Sequence, residues 1–148
     1  MRLAACWLGL AMLIASAPVR AGPAEDAEAV VTRWSATYNT NDPDALTQTY
    51  WPDAVLLGTT SPTMSVGAEA ITKYFSGLPR TGHKNEIEEK RTIALDNDTA
   101  LVFGFYLFTL MLEGKPTPIP ARFTMLVTQR DGAWKIAHHH SSPRGLLK

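Results

Sequence analysis

From residue 83 to residue 142 the chain has room for little except antiparallel β-strands. Residues 83–95, 99–112, 118–130 and 133–142 all read as strands of about ten residues or more. Asp96-Asn97-Asp98, Glu113-Gly114-Lys115 and Asp131-Gly132 separate them, and each triplet or pair is turn chemistry. Consecutive strands joined by such short turns form a meander. A meander of this length must bury one face, and the rest of the chain has to supply the cover.

That cover is helical. Between residues 24 and 39, Ala27, Val30, Val31, Trp34 and Tyr38 recur at the spacing of one helix face. Asn39-Thr40-Asn41 ends this helix. Asp42-Pro43 opens a short second one, with aspartate as N-cap and proline in the first turn, running to about Tyr50. Residues 54–58 read as a short buried strand and residues 59–63 as a polar loop. Residues 67–78 form a third helix that buries Ile71, Tyr74, Phe75 and Leu78. Helices followed by a meander define an α+β fold in which a curved, mainly antiparallel sheet wraps the N-terminal helices.

Two strand details refine this picture. Pro116, Pro118 and Pro120 leave alternate positions without an amide donor, which predicts a sheet edge or rim. Residues 101–112 and 123–127 are apolar on both faces. Three helices cover one face only, so a second copy of the same sheet is the expected cover of the other: a homodimer.

Residues 1–21 read as a removed signal peptide. Arg2 is followed by an apolar run from residue 3 to 17, and Val19-Arg20-Ala21 places small side chains for cleavage before Gly22. The run is too short for a stop-transfer span, and Cys6 precedes the apolar core, the wrong place for a lipoprotein box. The mature chain, residues 22–148, is then expected to be a single periplasmic or secreted domain with no stable membrane association. It has no cysteine, hence no disulfide and no thiolate metal site. Losing Arg2 and Arg20 from 14 basic residues against 14 acidic ones leaves a formal charge of −2. That balance provides no basic face for nucleic acid.

The last strand holds three of the four histidines. Regular alternation places Trp134, Ile136, His138 and His140 on one face and His139 on the other. Only two imidazoles can then converge, and no carboxylate or thiolate partner is evident, so the run predicts a pocket wall without metal or cofactor. Arg122 lies on a strand whose inward set is either Arg122, Thr124 and Leu126 or Phe123, Met125 and Val127. Asp53 follows Trp51-Pro52 and reads as turn chemistry rather than a catalytic acid. Glu86, Glu88, Glu89, Lys90 and Arg91 form a mixed charge run suited to a solvated edge. No Gly-x-Gly-x-x-Gly fingerprint is present.

Several stretches taken in order resemble the nuclear transport factor 2-like superfamily. They are Asn41-Asp42-Pro43-Asp44-Ala45-Leu46, Trp51-Pro52-Asp53-Ala54-Val55, Gly67 with Ile71 and Phe75, Ala121-Arg122-Phe123-Thr124, and the run from Arg130 to Ser142. Within that superfamily the chain is most similar to bacterial SnoaL-like proteins and to the association domain of calcium/calmodulin-dependent protein kinase II. The resemblance implies a cone-shaped sheet closed by helices, a pocket at the open end, and dimerisation through the outer face. Pockets of this kind bind steroids, polyketides or small acids, and in the kinase domain the fold mainly supports assembly, so fold does not fix function.

His138 and His140 match the His-x-His of the kinase association domain, with His139 in place of its central aromatic. The resemblance favours the inward set containing Arg122, which makes its guanidinium a carboxylate receptor. Tyr106, two residues after Gly104, and Tyr38 and Trp34 on the first helix complete the expected ligand-binding residues. The reading is an exported domain that binds a small anionic or polar molecule and dimerises through its sheet. Its rivals are a pocket enzyme of isomerase, cyclase or hydrolase type, with His138 or His140 as base, and a pure self-association module.

Overall fold

The computed structural model describes residues 22–145; the expected signal peptide, Cys6 included, lies outside the described residues. Helix α1 (Pro23–Tyr38) is followed by α2 (Pro43–Thr47), strands β1 (Tyr50–Leu57) and β2 (Met64–Val66), and helix α3 (Gly67–Phe75). The meander is β3 (Lys84–Ala94), β4 (Thr99–Leu112), β5 (Lys115–Arg130) and β6 (Ala133–Pro143). One six-stranded sheet results, in the order β2-β1-β6-β5-β4-β3. Only β1 and β6 pair in parallel. The α+β architecture and curved sheet agree with the expectation. Among the described residues no helix is long and apolar enough to cross a membrane.

Local chemistry accounts for the helices. Asp42 caps α2 by accepting from the backbone N–H groups of Asp44 and Ala45, each at 3.0 Å. Helix α1 buries Ala27, Val30, Val31, Trp34 and Tyr38 against the sheet, and α3 buries Ile71 and Phe75. From the sheet, Val102, Tyr106, Phe108, Phe123, Met125, Val127 and Ile136 complete one continuous core. Each side chain of this size removed from water contributes about 1.5–3 kcal/mol, so the helix–sheet seam holds the domain together.

Three boundaries differ from the sequence reading. Helix α2 stops at Thr47, and β1 begins at Tyr50 and runs through Pro52 rather than starting at Ala54. The short β2 was not anticipated. Helix α3 ends at Phe75, not Leu78.

The proline-rich arm behaves as expected for a rim. Residues 115–120 pair with β4 alone, because β6 joins β5 only from Ala121 onward. The Pro120 carbonyl accepts from the Arg144 N–H at 2.9 Å, so its ring nitrogen also faces the β6 side. Pro116 and Pro118 share that parity, and their missing donors face no strand.

Gly104 has a different purpose from the open volume its position suggests. A Cβ there would land on the carbonyl oxygen of Glu89, where a bulge between Ile87 and Glu89 brings the β3 backbone close to β4.

Candidate functional site

Strand β6 does not alternate regularly. Ile136 pairs with Val127, but Leu126 pairs with His138, so Ala137 is an extra residue in a β-bulge. The bulge inverts every side chain after it. Ile136, His139 and Ser141 are buried, whereas His138 is half-buried and His140 exposed. The expectation of His138 and His140 as the inward wall is therefore corrected: the inward histidine is His139.

Arg122 is corrected as well. Strand β5 turns Ala121, Phe123, Met125 and Val127 inward and leaves Arg122 exposed. Burying Phe123, Met125 and Val127 stabilises this register, while burying an unpaired guanidinium would cost several kcal/mol. Arg122 and His140 do come together, on the outer face, where they line a groove with Phe103, Phe105 and Thr124. Partial burial, with His140 close by, lowers the pKa of His138 there. Asp53 is exposed and forms an ion pair with Arg130 at 2.8 Å, outside the cavity.

The cavity lies between α1, α3 and the inner face of the sheet, and its volume is about 260 Å³. Trp34, Tyr38 and Tyr106 line it, as the sequence suggested. Tyr74, Phe75, Leu78, Phe108 and Leu110 add an apolar wall, and Thr59, Ser141 and His83 add polar groups. His83 is held there by the loop after α1. Asn41, in the left-handed region with φ 58°, donates from its Nδ2 to the His83 carbonyl at 2.8 Å and accepts from the Gly82 N–H at 3.0 Å.

One hydrogen-bonded chain runs through the cavity floor. The Trp34 Nε1–H donates to the Tyr50 hydroxyl at 2.7 Å, and that hydroxyl stands 2.9 Å from His139 Nδ1. His139 Nε2 lies 3.4 Å from the Tyr106 hydroxyl, which donates to Ser141 Oγ at 2.5 Å. Ser141 Oγ is in turn 2.5 Å from Thr59 Oγ1.

Donor counting fixes the direction. An indole nitrogen can only donate, so the Tyr50 oxygen accepts from Trp34 and its own proton goes to His139 Nδ1. The imidazole then holds its proton on Nε2, aimed at the Tyr106 oxygen. The other tautomer would leave the buried Tyr50 proton and the Nε2 lone pair without partners, at a cost of about 1–3 kcal/mol for each. Complete burial, with His138 and His140 adding to it, holds the His139 pKa down at about 3. Burial also raises the hydroxyls of Tyr106, Tyr50 and Tyr38. The floor is uncharged at neutral pH. Among the described residues no three His, Cys, Asp or Glu side chains stand together as a metal site.

His139 was missed because one inserted residue, invisible to alternation, reverses the face of the strand. Thr59, Ser141 and His83 were missed because they come from loops and a strand end far apart in sequence, and Tyr74 was read only as a core residue of the third helix.

A SnoaL-like domain model matches residues 27–144. The chain belongs to the SnoaL-like family. Among solved structures, this SnoaL-like domain is similar to a Xanthomonas campestris protein named for the calcium/calmodulin-dependent protein kinase II association domain. Identity is 32%, with 91% of this chain and 100% of that one covered and a TM-score of 0.77. A Caulobacter vibrioides protein with a cystatin-like fold matches at 21% identity over 84% of this chain and 92% of its own, with a TM-score of 0.72. A ketosteroid isomerase-like protein from Erwinia carotovora shares 23% identity over 83% of this chain and 97% of its own, at a TM-score of 0.69. These last two likenesses concern the fold alone. Among curated proteins nothing matches. The nuclear transport factor 2-like, cystatin-like fold is thus established.

Proposed function

We propose that this SnoaL-like domain is an exported, homodimeric binding protein for a small, uncharged and largely apolar molecule. The observation that carries the reading is the mainly apolar cavity. Its floor is a hydrogen-bond chain, its wall is aromatic and aliphatic, and among the described residues neither a carboxylate nor an arginine or lysine lines it. An anionic ligand at Arg122, the sequence-level reading, loses support because that side chain is on the opposite face of the sheet.

Binding is favoured over catalysis with His138, His139 or His140 as the base. Both His139 nitrogens are engaged, and its low pKa makes it a poor proton acceptor at neutral pH. His138 and His140 do not face the cavity. A pure self-association module would not need an open aromatic cavity of this size. The fold is shared by a protein named for scytalone dehydratase, at 16% identity and a TM-score of 0.73, so a reaction would be sought in the same cavity.

Support for dimerisation comes from the outer face of β4 and β5, where Leu101, Phe103, Phe105, Leu107 and Leu126 are only half-buried. Support for export comes from residues 1–21 of the sequence. A thermal-shift panel on residues 22–148 tests the ligand reading. Neutral aromatic compounds should raise the melting temperature and benzoate-type anions should not. Stabilisation by anions alone, abolished in Arg122→Ala, would overturn it.

A further inference from the structure

We infer that the ligand carries a hydroxyl group, phenolic or alcoholic, held between the Tyr38 hydroxyl and the His83 imidazole. The inference rests on the cavity being a binding site, and it adds the polar group the ligand must offer and the end of the cavity that receives it. It follows from which lining groups are already engaged. The floor closes on itself, since Tyr50, His139, Tyr106, Ser141 and Thr59 hydrogen-bond to one another. The Tyr74 hydroxyl is held by the backbone of Thr59, and Thr60 is exposed. Tyr38 and His83 differ from all of these. Both line the cavity, yet the hydrogen bonds they make among the described residues come from backbone atoms.

Both residues are nevertheless held in place. The Tyr38 ring packs against Trp34, Phe75 and Phe108, with centroids 5.7, 6.5 and 5.2 Å away, and the residue is only 5% exposed. The His83 N–H donates to Thr81 Oγ1 at 3.2 Å. Its carbonyl accepts from Asn41 Nδ2, which also donates to the Tyr38 carbonyl at 3.2 Å. One side-chain amide thus ties the two backbones together after α1. Phe108, which packs on Tyr38, pairs with Asn85, two residues beyond His83. The two polar groups therefore open at the same end of the cavity. Burial raises the Tyr38 pKa, so the phenol keeps its proton and acts as a donor. A ligand that fills the cavity displaces water from both groups and has to replace what each one loses. A hydroxyl does so at once: its oxygen accepts from Tyr38 and its proton goes to the imidazole lone pair. An ether oxygen serves Tyr38 but brings no proton for that lone pair.

Three bicyclic probes test this: 5-indanol, whose hydroxyl accepts and donates; 5-methoxyindane, which only accepts; and indane, which does neither. By isothermal titration calorimetry the native domain should bind 5-indanol roughly tenfold more tightly than indane, with 5-methoxyindane between them, the spread expected for two partly exposed hydrogen bonds. Tyr38→Phe should bring 5-methoxyindane down to the affinity of indane. His83→Phe should bring 5-indanol down to the affinity of 5-methoxyindane. Indane should bind all three proteins alike, which shows that the cavity is intact. Equal affinity of the native domain for the three probes would overturn the inference and leave the cavity reading standing. Binding of none would overturn both. A preference for 5-indanol that survives in Tyr38→Phe and in His83→Phe would overturn the assignment to these two residues, and 5-methoxyindane binding as tightly as 5-indanol would remove His83 from it.

Discussion

The imidazole of His139 stands edge-on to the indole of Trp34, with ring centroids 5.1 Å apart and planes at 87°, and each ring directs a nitrogen at the same Tyr50 hydroxyl. A helix residue, a β1 residue and a β6 residue thus share one polar atom in the middle of the core. The hydroxyl has a single proton, so the fixed donor on Trp34 dictates the tautomer of a histidine it does not hydrogen-bond. The polarity of the cavity floor is a consequence of α1 packing on the sheet.

Tyr50→Phe should be strongly destabilising for a change of one atom. It leaves the Trp34 N–H and His139 Nδ1 buried without a partner, and each such loss costs about 1–3 kcal/mol. Chemical denaturation should show a loss of roughly 2–4 kcal/mol. A loss below half a kilocalorie would mean that the shared hydroxyl does not hold the core.

The tautomer is directly observable. Nitrogen-15 spectra of His139 should show a neutral ring protonated on Nε2 throughout the range from pH 8 to pH 5, since its pKa is about 3. A proton on Nδ1 would contradict the donor count.

Stability should fall on mild acidification. The unfolded chain protonates this histidine near pH 6.5, whereas the folded chain keeps it neutral to about pH 3. Between those values the unfolded state binds the additional proton. Stability is therefore full above pH 6.5 and declines as pH falls, by up to about 1.4 kcal/mol per pH unit from this one group. Over pH 6.5 to 5, before most carboxylates titrate, His139→Gln should flatten the slope measured by denaturation.

Two glycines should respond differently to alanine. Gly104→Ala drives a methyl group into the β3 backbone at Glu89 and should cost more than about 2 kcal/mol, because backbone at a bulge has little room to move. Gly58→Ala meets only the end of the Tyr74 side chain. It should displace that ring from the cavity wall, weaken binding in the cavity several-fold, and change the melting temperature little.

The outer face makes its own prediction. Phe103→Glu should weaken self-association about thirtyfold or more, as expected when a charge replaces an apolar contact at an interface centre. Cavity binding should be unaffected. Equilibrium sedimentation checks this, and a monomeric native domain at micromolar concentration would remove the dimer.

Much of the fold was legible because its signals are local. Asp42-Pro43 caps a helix whatever surrounds it, the 3.6-residue recurrence from Ala27 to Tyr38 marks one buried face, and Asp131-Gly132 turns the chain unaided. The proline arm was legible for the same reason: a missing N–H restricts where a strand can lie. Trp34 and Tyr38 share the helix face marked by that recurrence, whereas Tyr106 lines the cavity for a reason other than the open volume expected at Gly104.

The amino-acid sequence by itself determined the helices, the four-strand meander and their family likeness, because capping, period and turn chemistry act over a few residues. Only the tertiary structure decided which face of β5 and of the histidine run is inside. Arg122 was turned out because three apolar neighbours on its strand bury at a gain and a guanidinium buries at a loss. His139 was turned in because a single bulge at Ala137, required by no local motif, reverses the two-residue period of the strand. Which histidine faces the cavity is a property of strand register, and register is settled by the whole sheet packing against its helices.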